Sequence, residues 1–463
     1  MVRGFIIIIF LFLISGSLFS QNKEHYDTLT YNDWIAGNWK ELIIHGKEAE
    51  ANNALSIYGE KRMGYANYML GNFFSSISYY DMVLDFEPDN TDVMLMLYLD
   101  YYYTANSTQM NRIRGMLSDS AFATLKLPDW KWFESIYAEG GESSNNNYNN
   151  DKANLYSNPH YFGTQTLYGN TSYGQLGIKL NLSNNISTYM SVKQSLINTE
   201  QRIGFTYTHP NGIGGNSISD TSVSSKFKTT QQEFYINSTF AFNNGSFTPY
   251  FHLVMGNAGG IGTTWFDQNH QTPPPKPRDT ITRIFSFSDT TISTTDFLIG
   301  ASISKQIGKL VFEGNFGISN FAYMHQVQVG ASMIYYPFGN THFSIAPQIK
   351  YLKDSLNHDL ITQLNISMML HKFCWLTLYG SLGDLEHSNE MNGSVIFNNS
   401  DIINNRYGAT LFLPVSNTIH IYLDYQLQLC QSWVWTATNP THNTLVFSNY
   451  QNNYITLGLK FNL

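Results

Sequence analysis

The sequence predicts an all-β membrane barrel of about fourteen antiparallel strands, preceded by a small all-α domain. Three observations predict it. From residue 161 onward, apolar and polar side chains alternate over many segments, and the connections between these segments are tight and long in turn. Before residue 120, the apolar spacing is helical instead. Alternation with a period of two is typical of strands, and in a membrane barrel it places lipid opposite a polar lumen.

The last ten residues show this alternation most clearly. One face is apolar up to the final residue and consists of Ile455, Leu457, Leu459, Phe461 and Leu463. The other face carries Tyr454, Thr456, Gly458, Lys460 and Asn462. We expect this segment to be the closing strand of the barrel. With thirteen further segments it makes an even number of strands: 161–168, 174–182, 186–207, 226–242, 246–255, 295–304, 310–318, 323–335, 342–352, 360–370, 374–382, 406–413, 418–432 and 450–463.

The order of the connections supports the count. Tight turns alternate with longer connections, among them four long loops at 208–225, 256–294, 383–405 and 433–449. An extra hairpin at 198–202 would break this order, so one long strand with a bulge is preferred there. With both chain ends in the periplasm, every long loop is expected outside the cell.

The composition agrees with a membrane barrel. Only 13% of residues are charged, against roughly a quarter in ordinary globular chains. Tyrosine and phenylalanine number 31 each, and we expect them in aromatic girdles at the two membrane interfaces. The formal net charge of -8 argues against a nucleic-acid partner, since no basic face is present.

The chain begins with a segment typical of a secretory signal peptide. Arg3 precedes an apolar run over 5–14, and small residues follow before Gln21, so cleavage is expected after Ser20. The run is too short to span a bilayer as a helix. Cys374 is expected to face lipid and Cys430 the lumen, so no disulfide is expected between them.

Residues 21–120 are expected to form a helical domain in the periplasm. Its clearest unit contains small, aromatic and turn residues at characteristic positions: Gly64, Ala66, Gly71, Ser76, Tyr80 and Pro88. Small residues let two antiparallel helices approach, a glycine serves the turn, and the proline ends the second helix. These positions resemble a tetratricopeptide repeat, although Glu60 replaces the usual first aromatic and Asn67 the second.

The resemblance implies a groove that binds a peptide or a partner protein. The alternative is a short helical cap that packs only on itself. Residues 121–158, with an Asn-rich run, are expected to be a linker, and Trp130, Trp132 and Phe133 in it could rest on the membrane, enter the lumen or contact the helical domain. The barrel itself is expected over 159–463.

Several charged side chains are expected to face the lumen. They are Lys179, Lys193, Glu233, His252, Glu313, Lys350, His420, Asp424 and Lys460. Their mixed signs argue against a strongly ion-selective pore. They either line a water-filled passage or form pairs across a lumen closed by side chains or by an inserted segment, and a narrow or plugged lumen is favoured.

No enzyme motif is present. The sequence lacks a Gly-x-Ser-x-Gly elbow, a His-Glu-x-x-His helix, a phosphate-binding glycine loop and cysteines at metal spacing. His420 and Asp424 are interpreted as a solvated lumen pair rather than a catalytic one. We therefore expect neither catalysis nor a cofactor or metal.

The order of parts, a helical repeat ahead of an outer-membrane barrel, resembles proteins described as YaiO-like and uncharacterised outer-membrane proteins of Bacteroidetes-type bacteria. This resemblance implies a non-enzymatic protein of the outer membrane, in contact with lipid and lipopolysaccharide. The first hypothesis is that the periplasmic domain docks a periplasmic or outer-membrane protein, as an anchor or accessory subunit. The alternative is a channel for small solutes.

Overall fold

The structure is a computed structural model that describes residues 23–118, 130–145, 148, 152, 163–210, 216–270, 280–355, 358–398, 401–439 and 442–463. The expected signal peptide, 1–20, lies outside the described residues. So do most residues of the expected linker.

Six helices precede the barrel in the described part of the chain. They are α1 (23–36), α2 (Trp39–Ala51), α3 (Ile57–Met69), α4 (Phe73–Phe86), α5 (Thr91–Tyr103) and α6 (Ser107–Met116). None of these helices combines the length and the apolar character needed to cross a bilayer. We call α1 to α6 the helical domain.

The helical domain places the predicted repeat residues between α3 and α4. Gly64 faces Tyr80 so closely that an added Cβ would lie 2.6 Å from the tyrosine ring. Ser76 is fully buried and its hydroxyl donates to the Gly64 carbonyl over 2.9 Å. Gly71 makes the turn between the two helices with a φ of +72°, a conformation that favours glycine. Ala66 is fully buried, and Pro88 follows the end of α4.

The strands that follow form a closed antiparallel barrel. Its strands are β1 (Phe133–Asn145), β2 (Gly163–Ser183), β3 (Ile186–Pro210), β4 (Asn216–Phe242), β5 (Gly245–His270), β6 (Thr280–Ile307), β7 (Leu310–Ser319), β8 (Gln326–Tyr335), β9 (Phe343–Lys353), β10 (His358–His371), β11 (Cys374–Leu382), β14 (Ile402–Pro414), β15 (Ile419–Asn439) and β16 (His442–Asn462). Between β11 and β14 lies a small hairpin of β12 (Asn389–Glu390) and β13 (Val395–Ile396). Fourteen strands therefore close the barrel in the described part of the chain, as predicted.

β1 closes the barrel, although its residues were expected to belong to the linker over 121–158. It pairs with β16 on one side and β2 on the other, with Ile136 opposite both Phe461 and Ile178. Alternation did not identify this strand because Ala138, Gly140 and Glu142 occupy its outer face with little apolar surface. The count stays at fourteen because the two predicted strands at 161–168 and 174–182 are one strand, β2, with an irregularity between Tyr168 and Thr171.

Three of the four expected long loops are largely strand. β3 and β4, β5 and β6, and β15 and β16 continue well past the predicted strand ends and leave only short connections. These stretches are rich in Thr and Ser, which are compatible with strands, but their apolar residues do not alternate regularly with polar ones. A reading based on alternation therefore ends these strands too early. Residues 198–202 lie within β3, which has no extra hairpin.

The barrel has two distinct ends. At one end, which we call the turn end, tight turns join β2 to β3, β4 to β5, β6 to β7, β8 to β9, β10 to β11 and β14 to β15. The opposite end, the loop end, carries the remaining connections, among them the segment between β11 and β14.

The two barrel faces differ as predicted in their polarity. Large apolar side chains are exposed on the outside, among them Leu176, Val192, Phe234, Ile299, Ile303, Phe316, Val329, Ile349, Leu364, Leu378, Leu423 and Leu457. Many tyrosines, however, point inward, so the expectation that aromatics collect in interface girdles covers only part of them. Tyr189, Tyr250 and Tyr379 lie over Gly177, Gly300 and Gly408 of adjacent strands, where an added Cβ would come within 2.3 Å. Cys374 and Cys430 are both free, as expected.

Candidate functional site: the lumen and its insert

Residues 383–398, which we call the insert, fold into the barrel rather than outward. They were expected to form a long outer loop. The hairpin of β12 and β13 turns at Met391, Asn392 and Gly393, all with positive φ. Gly393 is required there on two grounds, because its φ is +78° and an added Cβ would lie 2.7 Å from the Tyr250 ring.

Lumen side chains satisfy the backbone of the insert. Gln328 of β8 binds Asn389 twice: its amide group donates to the Asn389 carbonyl and its carbonyl accepts from the Asn389 N–H, both over 3.0 Å. At the tip, the Tyr235 hydroxyl donates to the Asn392 carbonyl over 2.8 Å. His252 Nδ1 lies 2.7 Å from the Gly393 carbonyl and must donate, since a carbonyl only accepts. These contacts meet the hydrogen-bonding demand of a short buried hairpin.

A buried ion triad fixes the insert to the wall. Glu390 of the insert lies 2.6 Å from the Arg406 guanidinium of β14 and 3.3 Å from Lys350 Nζ of β9. Lys350 also donates to the Asn389 carbonyl over 3.1 Å. Burial alone would raise the pKa of Glu390, but the two cations outweigh it and hold that pKa below its usual value. Glu390 is therefore an ionised carboxylate between two cations.

Apolar contacts attach the insert to two parts of the wall. Leu385 and Phe397 are buried with Ile361, Ile403 and Tyr450. Ile396 packs against a second cluster that contains Tyr235, Tyr250, Val254, Leu298 and Phe321. The first cluster belongs to β10, β14 and β16 and the second mainly to β4, β5 and β6, so the insert bridges the lumen.

A polar network connects the rest of the lumen to the insert tip. The Tyr173 hydroxyl donates to Glu139 over 2.7 Å, and Lys193 Nζ lies over the Tyr173 ring at 5.2 Å. Lys193 also pairs with Glu233 over 3.1 Å, and Glu233 lies 3.2 Å from His252 Nε2. Lys193 and Glu233 thus pair on neighbouring strands. Glu233 in turn contacts His252, which binds the tip of the insert.

The other predicted lumen residues do not belong to the network that joins Glu139 to His252. Asp424 accepts hydrogen bonds from Thr410 over 2.6 Å and from Tyr379 over 3.1 Å. His420 Nε2 accepts from Asn462 over 3.2 Å, so the two members of the predicted pair have different partners. Glu313 lies opposite Ser304 and Ser332 in the sheet, and Lys460 lies opposite Tyr137 and His420.

The helical domain docks on the turn end. Gln109 of α6 donates to the carbonyls of Phe242 and Gly245 over 2.8 and 2.7 Å, at the β4–β5 turn. The Tyr101 hydroxyl donates to Asn244 in the same turn over 2.9 Å.

Further contacts extend this docking to other turns. Phe74 stacks on Tyr336 with ring centroids 4.0 Å apart, and its N–H donates to the Gly339 carbonyl over 2.9 Å. Lys179 inside the barrel binds Glu134 and the Ser107 hydroxyl of α6, over 2.9 and 2.7 Å. The helical domain therefore contacts turns from β2–β3 to β8–β9.

Sequence reasoning missed Glu390, Arg406, Gln328 and the insert itself. Arg406 stood at the first position of the predicted strand 406–413 and Glu390 in a predicted outer loop, so neither was assigned to the lumen. The one available signal was the presence of Leu385, Val395, Ile396 and Phe397 in a stretch expected to be exposed. Among the described residues, no cluster of three or more His, Cys, Asp or Glu side chains is arranged to hold a metal ion.

Comparison with known proteins gave structural matches only. No family model and no curated protein sequence matches this chain. It is similar to a FadL homologue of Pseudomonas aeruginosa, with 9% identity over 71% of this chain and 90% of that one and a TM-score of 0.39. The toluene transporter TodX of P. putida matches with 9% identity, 73% and 91% coverage and a TM-score of 0.38. The translocator domain of the autotransporter NalP from Neisseria meningitidis matches with 9% identity, 78% and 99% coverage and a TM-score of 0.29.

Proposed function

We propose that this chain is an outer-membrane channel for small solutes whose lumen is held closed by the insert. The helical domain lies in the periplasm, the loop end faces outside, and lipid and lipopolysaccharide surround the barrel.

The apolar outer wall supports the membrane location. Soluble proteins rarely expose contiguous apolar surface of more than a few hundred Å². Here Leu176, Leu378, Leu423 and Leu457 are each more than 40% exposed on different strands of one closed wall. A closed barrel satisfies all of its backbone hydrogen bonds and can therefore present such a wall to lipid.

The channel proposal rests mainly on the insert. About eight strands are filled by their own side chains and about sixteen leave a water-filled passage, so fourteen strands leave space inside that has to be filled. The insert fills it with a hairpin that is covalently attached only at its ends. A barrel closed by a separable segment is suited to opening, whereas a barrel closed by its own wall is not.

The test is to replace residues 384–398 with a short Gly-Ser linker and to record currents in planar bilayers. We expect steady conductance from this variant and rare or no openings from the wild-type chain. As a control, the same linker replaces residues 440–441 at the β15–β16 connection, and this change should leave the wild-type behaviour intact. Absence of conductance from a correctly inserted insert-less barrel would refute the channel.

Docking of a periplasmic or outer-membrane protein by the helical domain is the second candidate function. The observation that favours it is the exposed apolar side of α1, where Tyr31, Trp34 and Ile35 are 46%, 42% and 62% exposed. The docking contacts with the barrel come from the α3–α4 turn and from α4 to α6, and they do not involve Tyr31, Trp34 or Ile35. A protein partner would bury these three side chains.

This second function is tested by affinity capture from solubilised outer membranes. The triple variant Tyr31→Ser, Trp34→Ser, Ile35→Ser should lose a co-purifying protein that the wild-type chain retains. Exposed Tyr103 on α5 offers the control Tyr103→Ser, which should keep it. An identical set of captured proteins for all three chains would exclude docking through α1.

A further inference from the structure

Glu390 occupies a site that the barrel wall builds for an anion. Lys350 and Arg406, which bind it, are only 1% and 5% exposed and belong to the wall, whereas Glu390 belongs to the insert. The Ser381 hydroxyl, 3.2 Å from the Arg406 guanidinium, completes the polar surroundings on the wall side. The two cations and the hydroxyl that form the site therefore all belong to the wall and not to the segment that now fills it.

Removal of Glu390 alone would leave two cations unpaired inside the lumen. Loss of one partner from a buried ion pair typically costs about 3–5 kcal/mol, because the remaining charge stays desolvated without compensation. The insert can thus leave only if water or another anion takes over the two cations. An anion from solution would make that exchange easier.

The insert also supplies an aromatic ring to the same site. The Arg406 guanidinium lies 5.1 Å from the ring centre of Phe397, which belongs to the insert, and 5.2 Å from that of Tyr379 on β11. A planar guanidinium next to aromatic rings gains cation–π and stacking energy. Displacement of the insert removes one ring and one carboxylate together, while Tyr379 remains on the wall.

We propose that Lys350, Arg406 and Tyr379 form a binding site for small aromatic carboxylates, which displace Glu390 and Phe397 and so release the insert. A single molecule with a carboxylate on an aromatic ring replaces both groups that the insert contributes. This inference rests on the proposed channel and names the class of solute that opens it.

A ligand from solution has to compete with Glu390 and Phe397 of the insert. This competition sets the ligand concentration needed for opening. A tethered segment acts at an effective concentration of the order of millimolar. The insert gains further affinity from the hydrogen bonds of Gln328, Tyr235 and His252 to its backbone. A free aromatic carboxylate is therefore expected to act at millimolar concentrations or above, and the insert remains closed without it.

The experiment uses the full-length chain in planar bilayers at neutral pH with benzoate as the probe. Benzoate should raise the open probability several-fold in a saturable manner. Benzamide has the same ring without charge and should have no effect, and acetate has the charge without the ring and should act only at much higher concentrations. Equal effects of benzoate and benzamide would overturn the role of the cations, and equal effects of benzoate and acetate would overturn the role of the ring.

Three variants locate the effect. Glu390→Gln removes the competing charge, so it should raise the basal open probability and lower the benzoate concentration needed. The double variant Glu390→Gln, Arg406→Gln removes a cation together with its anion, so neither member of this pair is left unpaired. It should lose the benzoate response. Lys179→Gln removes a lumen cation near the helical domain and should leave the benzoate response unchanged.

Fluorine NMR of 4-fluorobenzoate with the detergent-solubilised chain gives a second readout that does not depend on conductance. The wild-type chain should broaden the ligand signal, and the double variant should not. Equal broadening by both chains would overturn the site. If Glu390→Gln and the insert-less barrel conduct while benzoate has no effect on the wild-type chain, the ligand class fails and the channel stands. If the insert-less barrel does not conduct, the channel itself fails.

Discussion

Gln109 shows how a single polar side chain joins two parts of this molecule. It is 4% exposed, and its amide group reaches two carbonyls on either side of the β4–β5 turn. Its own carbonyl accepts from Arg112 over 2.7 Å, so the side chain is held on both sides. Turn carbonyls that face a docked domain cannot all bind water, and Gln109 supplies the missing donors.

We therefore predict that Gln109→Ala weakens docking of the helical domain. Two acceptors lose their donor, and leaving such groups unsatisfied typically costs about 1–3 kcal/mol each when they stay buried. The expected result is faster proteolysis of the helical domain in detergent, with the barrel still resistant to heat and protease. Asn52→Ala is the control, because exposed Asn52 bonds only to Glu48 and Tyr26 within the helical domain. Equal protection of the wild-type and Gln109→Ala chains would contradict this role.

The insert is the element whose stability depends on pH. Burial, with a smaller contribution from nearby carboxylates, raises the pKa of Asp384 to about 6 and that of Glu386 to about 7. Asp354, Asp359 and Asp401 are the neighbouring acids that raise these values, and His387 follows them in the chain with a pKa lowered by burial. Between about pH 4.5 and 6, Asp384 and Glu386 are therefore more protonated in the docked insert than they would be in a released one.

The sign of the pH effect follows from this difference. A released insert would lose these protons near its ordinary values of about 4, whereas the docked insert keeps them up to about 6 to 7. Docking is therefore strongest below pH of about 4 and weakens as the pH rises through about 7. We expect the open probability in bilayers to increase between about pH 4.5 and 7 and to level off above pH 7.

The double variant Asp384→Asn, Glu386→Gln should abolish most of this increase, since it holds both groups neutral at every pH. The pKa of Glu390 is lowered by Lys350 and Arg406, in the opposite direction, so Glu390 does not account for this increase. An increase of the same size in the double variant would show that other groups control the opening.

At the scale of the whole molecule, stability depends on the contrast between the outer wall and the lumen. Leu457 is 54% exposed on β16, between strands that expose Leu423 and Ile136 on the same face. A charged side chain on the lipid face of a barrel costs about 2–4 kcal/mol near the bilayer centre. Leu457→Arg should therefore lower the free energy of unfolding from vesicles by roughly this amount.

Reversible urea unfolding in lipid vesicles measures this effect. Leu457→Met keeps the apolar character and about the same volume, and it should change the free energy of unfolding by less than about 1.5 kcal/mol. The same small change for Leu457→Arg would be incompatible with lipid around this wall.

The sequence by itself determined the barrel and the helical segment ahead of it. The predicted number of strands agrees with the structure because the division of β2 into two strands offset the missed β1. These features follow from local periodicity: Leu457 and Leu459 lie on one face of β16 whatever the rest of the chain does, and Gly71 marks a turn because its backbone needs a positive φ. The expected positions of the lumen charges also follow from local periodicity, since alternation alone assigns Lys350 and Asp424 to the inner face.

Only the tertiary structure decided what fills the lumen. β1 has too little apolar surface to be recognised alone, and it becomes a strand because β2 and β16 both offer it a free edge. Glu390 meets Lys350 and Arg406 because barrel closure brings β9 and β14 around one interior, and no local pattern encodes that meeting. A side chain's face is set by the residues beside it, but its partner across the lumen is set by the closure of the whole sheet.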